Sequence, residues 1–383
     1  MNASQRVELL VGGRVYGGWK RVEVQRSIEQ MAGGFILELT HRWPGVDVAP
    51  GLREGLPCQV LLGGDVVITG YIDQFEPDLS DANCSIRVEG RDKTGDLVDC
   101  SAVHKGGQWA NVPLERIVRD IARPFGISVA LQPGLNQGAP FKSFALEDGE
   151  RAFDAIDRAC RLRSVLCTST PLGEIWLGEA GDTGTGVTLQ EGVNLKRISA
   201  THSWKDRYSR IIVKSQTSGD DESWGAAASQ LRSEATDEEI DRYRPLIIQA
   251  EHGDNRASLS DRAQWEIGVR MGRGKRGKAV VVGWRTGANG TEGGLWQPNT
   301  LARVISPRMN LNMDVLIVSC VYTLTEQGAL TELTFSRPEA FDQVTGIGRS
   351  RLRGRLRDKA ERRKYGEDEF VPSWQRQPPG GKP

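Results

Sequence analysis

The chain has 383 residues, enough for two to four domains at about 100–200 residues each. Lys plus Arg equals Asp plus Glu at 50 each, which excludes a surface that grips nucleic acid throughout and leaves room only for local charged patches. No run approaches about 18 consecutive apolar residues and no basic segment leads into an apolar one at the start, so neither a transmembrane helix nor a secretory signal is expected.

In chain order, VELLV at 7–11 and RVY at 14–16 flank Gly12-Gly13, the pattern of a two-residue hairpin whose turn needs positive φ. Alternation continues through Val22, Val24 and Ile28, then Phe35, Leu37 and Leu39. Residues 57–101 hold two apolar strands meeting at Gly63-Gly64, a polar turn near residues 80–83, and a returning strand with Ile86 and Val88 on one face. Residues 1–105 therefore read as a domain of short antiparallel strands, a barrel or sandwich.

The texture changes after Gly107. Leu114, Ile117, Val118, Ile121 and Ala122 form a helical stripe that Pro124 and Gly126 end. A second helix is predicted from about Asp148, with Ala152, Phe153, Ile156, Ala159 and Cys160 on one face, followed by a hairpin over 164–177. Residues 106–196 read as a small α+β unit.

β-texture returns over 203–215, and 217–277 reads as a polar insertion ending in a helix capped at Ser258-Leu-Ser-Asp261. Strands resume at 278–284 and continue to 345. Here VVITGYI at 66–72 has an echo in VLIVSCV at 315–321, each followed by a polar turn and a returning apolar strand (Ile86 and Val88; Leu333 and Phe335). The expected architecture is α+β, mostly β, with two similar antiparallel β-barrel domains: residues 1–105, and 197–216 joined to 278–345. A long insertion inside the second copy is tolerable because loop closure costs only about 0.6 kcal/mol per doubling of length. Residues 346–383 form a basic, then Pro/Gly-rich tail.

Catalytic patterns are weak throughout. Gly272-Arg-Gly-Lys-Arg-Gly277 matches G-x-G-x-x-G but follows a helix and precedes a strand, the wrong order for a dinucleotide fingerprint. Asp73, Asp78, Asp81, Asp92, Asp96 and Asp99 bracket turns, where aspartate usually shapes the backbone rather than forming an acid/base pair. His41, His104, His202 and His252 lack a second histidine at ligand spacing, no G-x-S-x-G occurs, and the six cysteines (58, 84, 100, 160, 167, 320) include no C-x-x-C and are expected to be buried free thiols. No catalytic, cofactor or metal residue is assigned. The basic run at 349–364 admits nucleic-acid contact, a solvated face or docking on an acidic partner; docking is the favoured reading, through Arg349, Arg351, Arg353, Arg355, Arg357, Arg362 and Arg363.

Several segments resemble the baseplate hub proteins of Mu-like contractile-tailed phages: LLVGGRVYGGW (9–19), SIEQMAGGFILELTHRWPG (27–45), DVVITGYID (65–73), VEGRDKTGDLVDCSA (88–102), NVPLERIVRDIA (111–122), the helix and hairpin of 150–177, and GLWQPNTLARV (294–304). The stretch at 150–177 is also similar to the hub-like part of VgrG spike proteins. The resemblance implies a non-enzymatic homotrimer with two barrel-like tube domains per chain. It would join the hexameric tail tube to the trimeric central spike, with tube, tape-measure and baseplate wedge proteins as neighbours. DNA would pass only in transit, and no membrane insertion is implied. The implied location is the virion tail baseplate, after assembly in the host bacterial cytoplasm. A tailocin or type VI secretion hub is the nearest alternative; a cell-wall hydrolase or a glycan-binding module is the alternative from another class.

Overall fold

A computed structural model describes residues 5–40, 51–79, 84–163, 165–181, 183–215, 231–250 and 256–341. The first strands are β1 (Val7–Val11), β2 (Arg14–Tyr16), β3 (Arg21–Ser27), β4 (Gly34–Thr40), β5 (Pro57–Leu62), β6 (Asp65–Leu79) and β7 (Cys84–Asp92). A middle unit follows with α1 (Gly95–Asp99), β8 (Gln108–Trp109), α2 (Leu114–Ala122), β9 (Val129–Leu131), β10 (Phe144–Ala145), α3 (Ala152–Leu162), β11 (Leu166–Ser169) and β12 (Ile175–Gly178). The remainder comprises β13 (Thr183–Gln190), β14 (Leu195–His202), β15 (Arg210–Ser215), β16 (Leu231–Thr236), β17 (Pro245–Ala250), α4 (Arg256–Arg273), β18 (Lys275–Val282), β19 (Thr300–Ser306), β20 (Leu311–Thr325) and β21 (Gly328–Ser336). The chain is mostly β, as expected.

Thirteen strands join one sheet, and its pairing exposes a duplication. In the first half the spatial order is β5-β6-β7-β4-β3; in the second it is β19-β20-β21-β18-β14, with the strands met in the same chain order. β6 and β20 are both 15 residues long, and β7 and β21 are both 9. Each long strand carries a bulge at the matching place, Asp73 in one and Val318 in the other, where a residue is skipped in pairing with the next strand. Counterparts stand 245 positions apart, Ile72 with Ile317 and Gly90 with Phe335. The echo read from the sequence is thus real, but its register differs. Matching the apolar runs placed Ile72 against Val321, whereas the bulge and the ladder place it against Ile317.

Two closed barrels were expected, and the sheet instead stays open. β3, the edge of the first half, pairs with β20 of the second half rather than returning onto its own half. One apolar core therefore runs through both copies, from Leu9, Val24, Leu37 and Val60 to Trp284, Val304, Tyr322 and Leu333.

The two insertions have their own cores. The predicted α2 stripe is buried in full, against Ile156, Ala159 and Cys160 of α3 and Ile175 and Leu177 of β12. The strand anticipated over 203–215 begins at Arg210 and lies outside the large sheet: β15 sits between β16 and β17, and α4 covers them through Leu259 and Ala263. Two of these strands come from the stretch read as a polar excursion. α4 begins at Arg256, so Ser258 lies within the helix rather than capping it.

Candidate assembly surface

The joint between the copies is built at β3 and β20. Antiparallel pairing runs from Ser27 against Ser319 to Val22 against Leu324. On the core face Val22, Val24, Tyr322 and Leu324 are each at most 4% exposed, so the two halves cannot separate without opening the core. A buried polar cluster fastens the middle unit to the same place. Asp92 accepts from the backbone N–H of Gly33 (2.8 Å) and Thr94 (2.9 Å), and from the hydroxyls of Thr94 and Ser169 (2.7 Å for Ser169). Arg26 donates to the Ser169 carbonyl at 2.7 Å. Burial pushes the Asp92 carboxyl up and the Arg26 guanidinium down, against hydrogen bonds to Asp92 that favour its charged form. Three segments distant in sequence meet in this cluster.

Two edges of the same sheet have one partner only among the described residues. β5 covers β6 as far as Tyr71, and beyond the bulge at Asp73 the residues Gln74–Leu79 pair with β7 alone. At the far end of the sheet, Arg197–His202 of β14 pairs with β18 alone. Side chains along the first edge are exposed at Asp73, Gln74, Glu76, Pro77 and Asp78; along β14, Lys196, Arg197, Ser199, Thr201 and His202 are exposed. One edge is acidic and the other basic.

Several of the sequence candidates for chemistry are held in structural roles. Asp73 and Asp99 clamp the guanidinium of Arg91 from two sides, at 2.7 and 2.6 Å. Asp92 belongs to the buried cluster, and Asp96 sits in the first turn of α1. His104 stacks on Trp109 with ring centroids 4.2 Å apart and lies 3.9 Å from Asp120. Among the described residues no group of three His, Cys, Asp or Glu side chains is placed to hold a metal ion. Cys58, Cys160 and Cys320 are the buried thiols expected, whereas Cys167 is half-buried and Cys100 exposed; burial pushes Cys58 and Cys320 up to about 12. Gly272–Gly277 spans the passage from α4 into β18, where Gly272 packs on Ala340 and Gly277 under Phe335. A cleft of about 340 Å³ opens between Ile28, Phe153 and Arg273, and four of its charged groups pair with one another, Arg161 with Asp157 at 2.6 Å and Arg276 with Glu29 at 2.7 Å. Asp81, His41, His252 and the basic run with Arg349, Arg351, Arg353, Arg355, Arg357, Arg362 and Arg363 lie outside the described residues. Among the described residues no helix is long and apolar enough to cross a membrane.

The described residues form a duplicated open sheet with two insertions that have cores of their own, and family models place the chain among phage-tail proteins. Family models match in series along the chain: Mu phage baseplate assembly protein GpP-like, N-terminal, at 6–92; baseplate hub protein gp44-like, second domain, at 94–179; tail protein NMB1110-like, third domain, at 207–265; and Mu phage baseplate assembly protein GpP, fourth domain, at 255–344. The baseplate hub protein gp44 of Escherichia phage Mu is 35% identical over 346 residues, covering 88% of this chain and 89% of that protein. The chain belongs to this family of baseplate hub proteins and is structural rather than enzymatic. Its fold matches the 43 kDa tail protein of prophage MuSo2 from Shewanella oneidensis with a TM-score of 0.78 at 34% identity, covering 88% of this chain and 100% of that one. The tail protein from Neisseria meningitidis MC58 shares the fold at a TM-score of 0.72 and 22% identity, over 88% of this chain and 98% of that one. The Francisella PdpA-VgrG complex shares it more distantly, at 0.52 and 8%, over 87% of this chain and 58% of that one.

Proposed function

We propose that this chain works as a homotrimeric baseplate hub, an adaptor between a hexameric tail tube and a trimeric central spike. The observation that carries the reading is the duplication: two copies with one strand order and one bulge position give three chains six similar units. Such a ring offers sixfold contacts on one face while its insertions repeat only three times, which is how a six-to-three mismatch is bridged. In this reading the open sheets close into barrel-like walls only when chains meet, because closure removes the edges that a single chain leaves unpaired. DNA passes through the lumen without being read, and tape-measure and wedge proteins contact the ends and rim. The arginines of 349–363 dock on an acidic baseplate partner.

Size-exclusion chromatography with light scattering tests the reading. The purified chain is expected at three times its monomer mass alone, or at that mass plus that of the bound spike when the spike protein is present, and a chain that stays monomeric in both conditions overturns it. The same geometry serves a tailocin hub, so the experiment applies unchanged to a particle without a genome.

A further inference from the structure

We propose that each chain joins the next by laying β14 along the open half of β6, repeating between chains the joint that β3 and β20 make within one. The inference rests on the trimeric reading and specifies its contact residue by residue. The template is internal. β14 is the counterpart of β3, since each pairs with the strand before it in spatial order (β18, β4) and is the outer strand of its half. The open half of β6 is the counterpart of the half of β20 that β3 occupies, at the common offset of 245.

The two copies differ where this requires. From Ser319 to Thr323 the residues of β20, paired with β3, are buried or half-buried, and Val318 is buried against Ile28, Leu166 and Ala180; their counterparts Asp73 to Asp78 are exposed except the half-buried Phe75. Val22 and Val24 of β3 are 1% and 0% exposed, while their β14 counterparts Ile198 and Ala200 are only half-buried against the core. Each half of the missing joint is thus an unfinished version of a finished one.

Carrying the register across gives Phe75 opposite His202, Glu76 opposite Thr201, Pro77 opposite Ala200, Asp78 opposite Ser199 and Leu79 opposite Ile198, from the pairings of β20 with β3. The bond from Ile28 N–H to the Val318 carbonyl (2.9 Å) fixes the phase of that ladder. Val321 with Gln25 is therefore a close, non-hydrogen-bonded pair, and so is Glu76 with Thr201. The same phase turns the Pro77 nitrogen toward the open edge, where its missing N–H leaves the β6–β7 ladder intact and removes one bond from the joint. Charge favours the match at one end, where Arg197, two places along β14 from Ser199, lies diagonal to the exposed Asp78. The contact is head-to-tail, with different surfaces meeting, so it builds a ring rather than a two-fold dimer.

Cysteine cross-linking of the full chain tests the register, in a background carrying Cys84→Ser and Cys100→Ser. Close antiparallel pairs have a Cα separation of about 4.5 Å, within reach of a disulfide. Val321→Cys with Gln25→Cys, the internal counterpart, serves as the positive control and should close within one chain. Glu76→Cys with Thr201→Cys is expected to give covalent dimers and trimers on mild oxidation that reductant collapses. Glu76→Cys with Lys196→Cys, displaced along β14, is expected to give none. A trimer by light scattering without the Glu76–Thr201 bond, or with equal bonding by the displaced pair, overturns the joint and leaves the trimeric reading standing. A chain that is monomeric at all concentrations and forms no intermolecular bond overturns both.

Discussion

At Asp92 one carboxylate satisfies two backbone N–H groups and two hydroxyls from three segments, all out of water. Asp92→Asn keeps the volume but turns an amide N–H₂ toward one of the two N–H donors, so a buried donor loses its acceptor. The expected cost is about 1–3 kcal/mol, read from urea unfolding, with Ser169→Ala costing less because its partner keeps its other donors. Two glycines make a second test. Phe35 lies across Gly90, and in the other copy Phe335 lies across Gly277, so the ring has changed strands between counterpart positions. A methyl at either glycine meets the ring, but at Gly90 it also meets the backbone oxygen of Tyr71 at very close range, while the backbone oxygen nearest Gly277 is Ser199 at 2.8 Å. Both Gly→Ala changes should destabilise by about 1–3 kcal/mol. Phe335→Leu should recover part of the loss at Gly277, whereas Phe35→Leu should recover less at Gly90, because a side chain yields and a carbonyl in a ladder does not.

Among elements, the sheet of β15–β17 under α4 depends on a buried ion pair. Arg207 makes a two-pronged contact with Asp237 at 2.7–3.0 Å, the two side chains being 2% and 4% exposed. Arg207→Ala strands the Asp237 charge, for an expected loss of about 3–5 kcal/mol; hydrogen exchange should rise in β15–β17 and α4 and stay low in β4–β7. Helix α2 carries one source of acid sensitivity. Burial pushes the Asp120 carboxyl up, but the Trp109 indole N–H and Arg116 outweigh it and hold the group below its ordinary value. A depressed folded value means that the stabilisation is present above the unfolded value of about 3.9 and is lost as pH falls through the folded one. The urea midpoint should drop on acidification below about pH 4, with a flatter pH slope in Asp120→Asn. Legibility at this scale followed periodicity. α2 was readable because its apolar residues all face one core. β16, with Arg232, Ser233 and Glu234, was not, because an outer strand of a three-stranded sheet needs few apolar residues. The echo between β6 and β20 was visible but mis-registered, because a bulge interrupts the period-two pattern that an apolar match relies on. Nothing in composition marks an unpaired edge, so the assembly surface emerged only from the pairing.

For the whole molecule, the β3–β20 joint decides how many folding units the two copies make. If each were a closed barrel, each would have a separate core and could melt alone. Instead the cores are one, with Val22 and Val24 of the first copy packed in the same cluster as Tyr322 and Leu324 of the second. Removing either copy would bare a ladder of backbone groups along with these side chains, and unpaired buried polar groups are as costly as the lost apolar burial. The sheet should therefore unfold in one cooperative step although the sequence that encodes it is interrupted twice, by residues 93–182 and 203–274. Native-state hydrogen exchange in increasing urea checks this: protection in β4–β7 and in β18–β21 should disappear at one midpoint with one slope, and the inserted sheet under α4, with its own small core, should lose protection at or below that midpoint. Pro substituted at Val24, which removes a donor from the centre of the joint, should lower both copies together. A variant in which β18–β21 keeps wild-type protection while β4–β7 opens would show two units in contact rather than one continuous sheet.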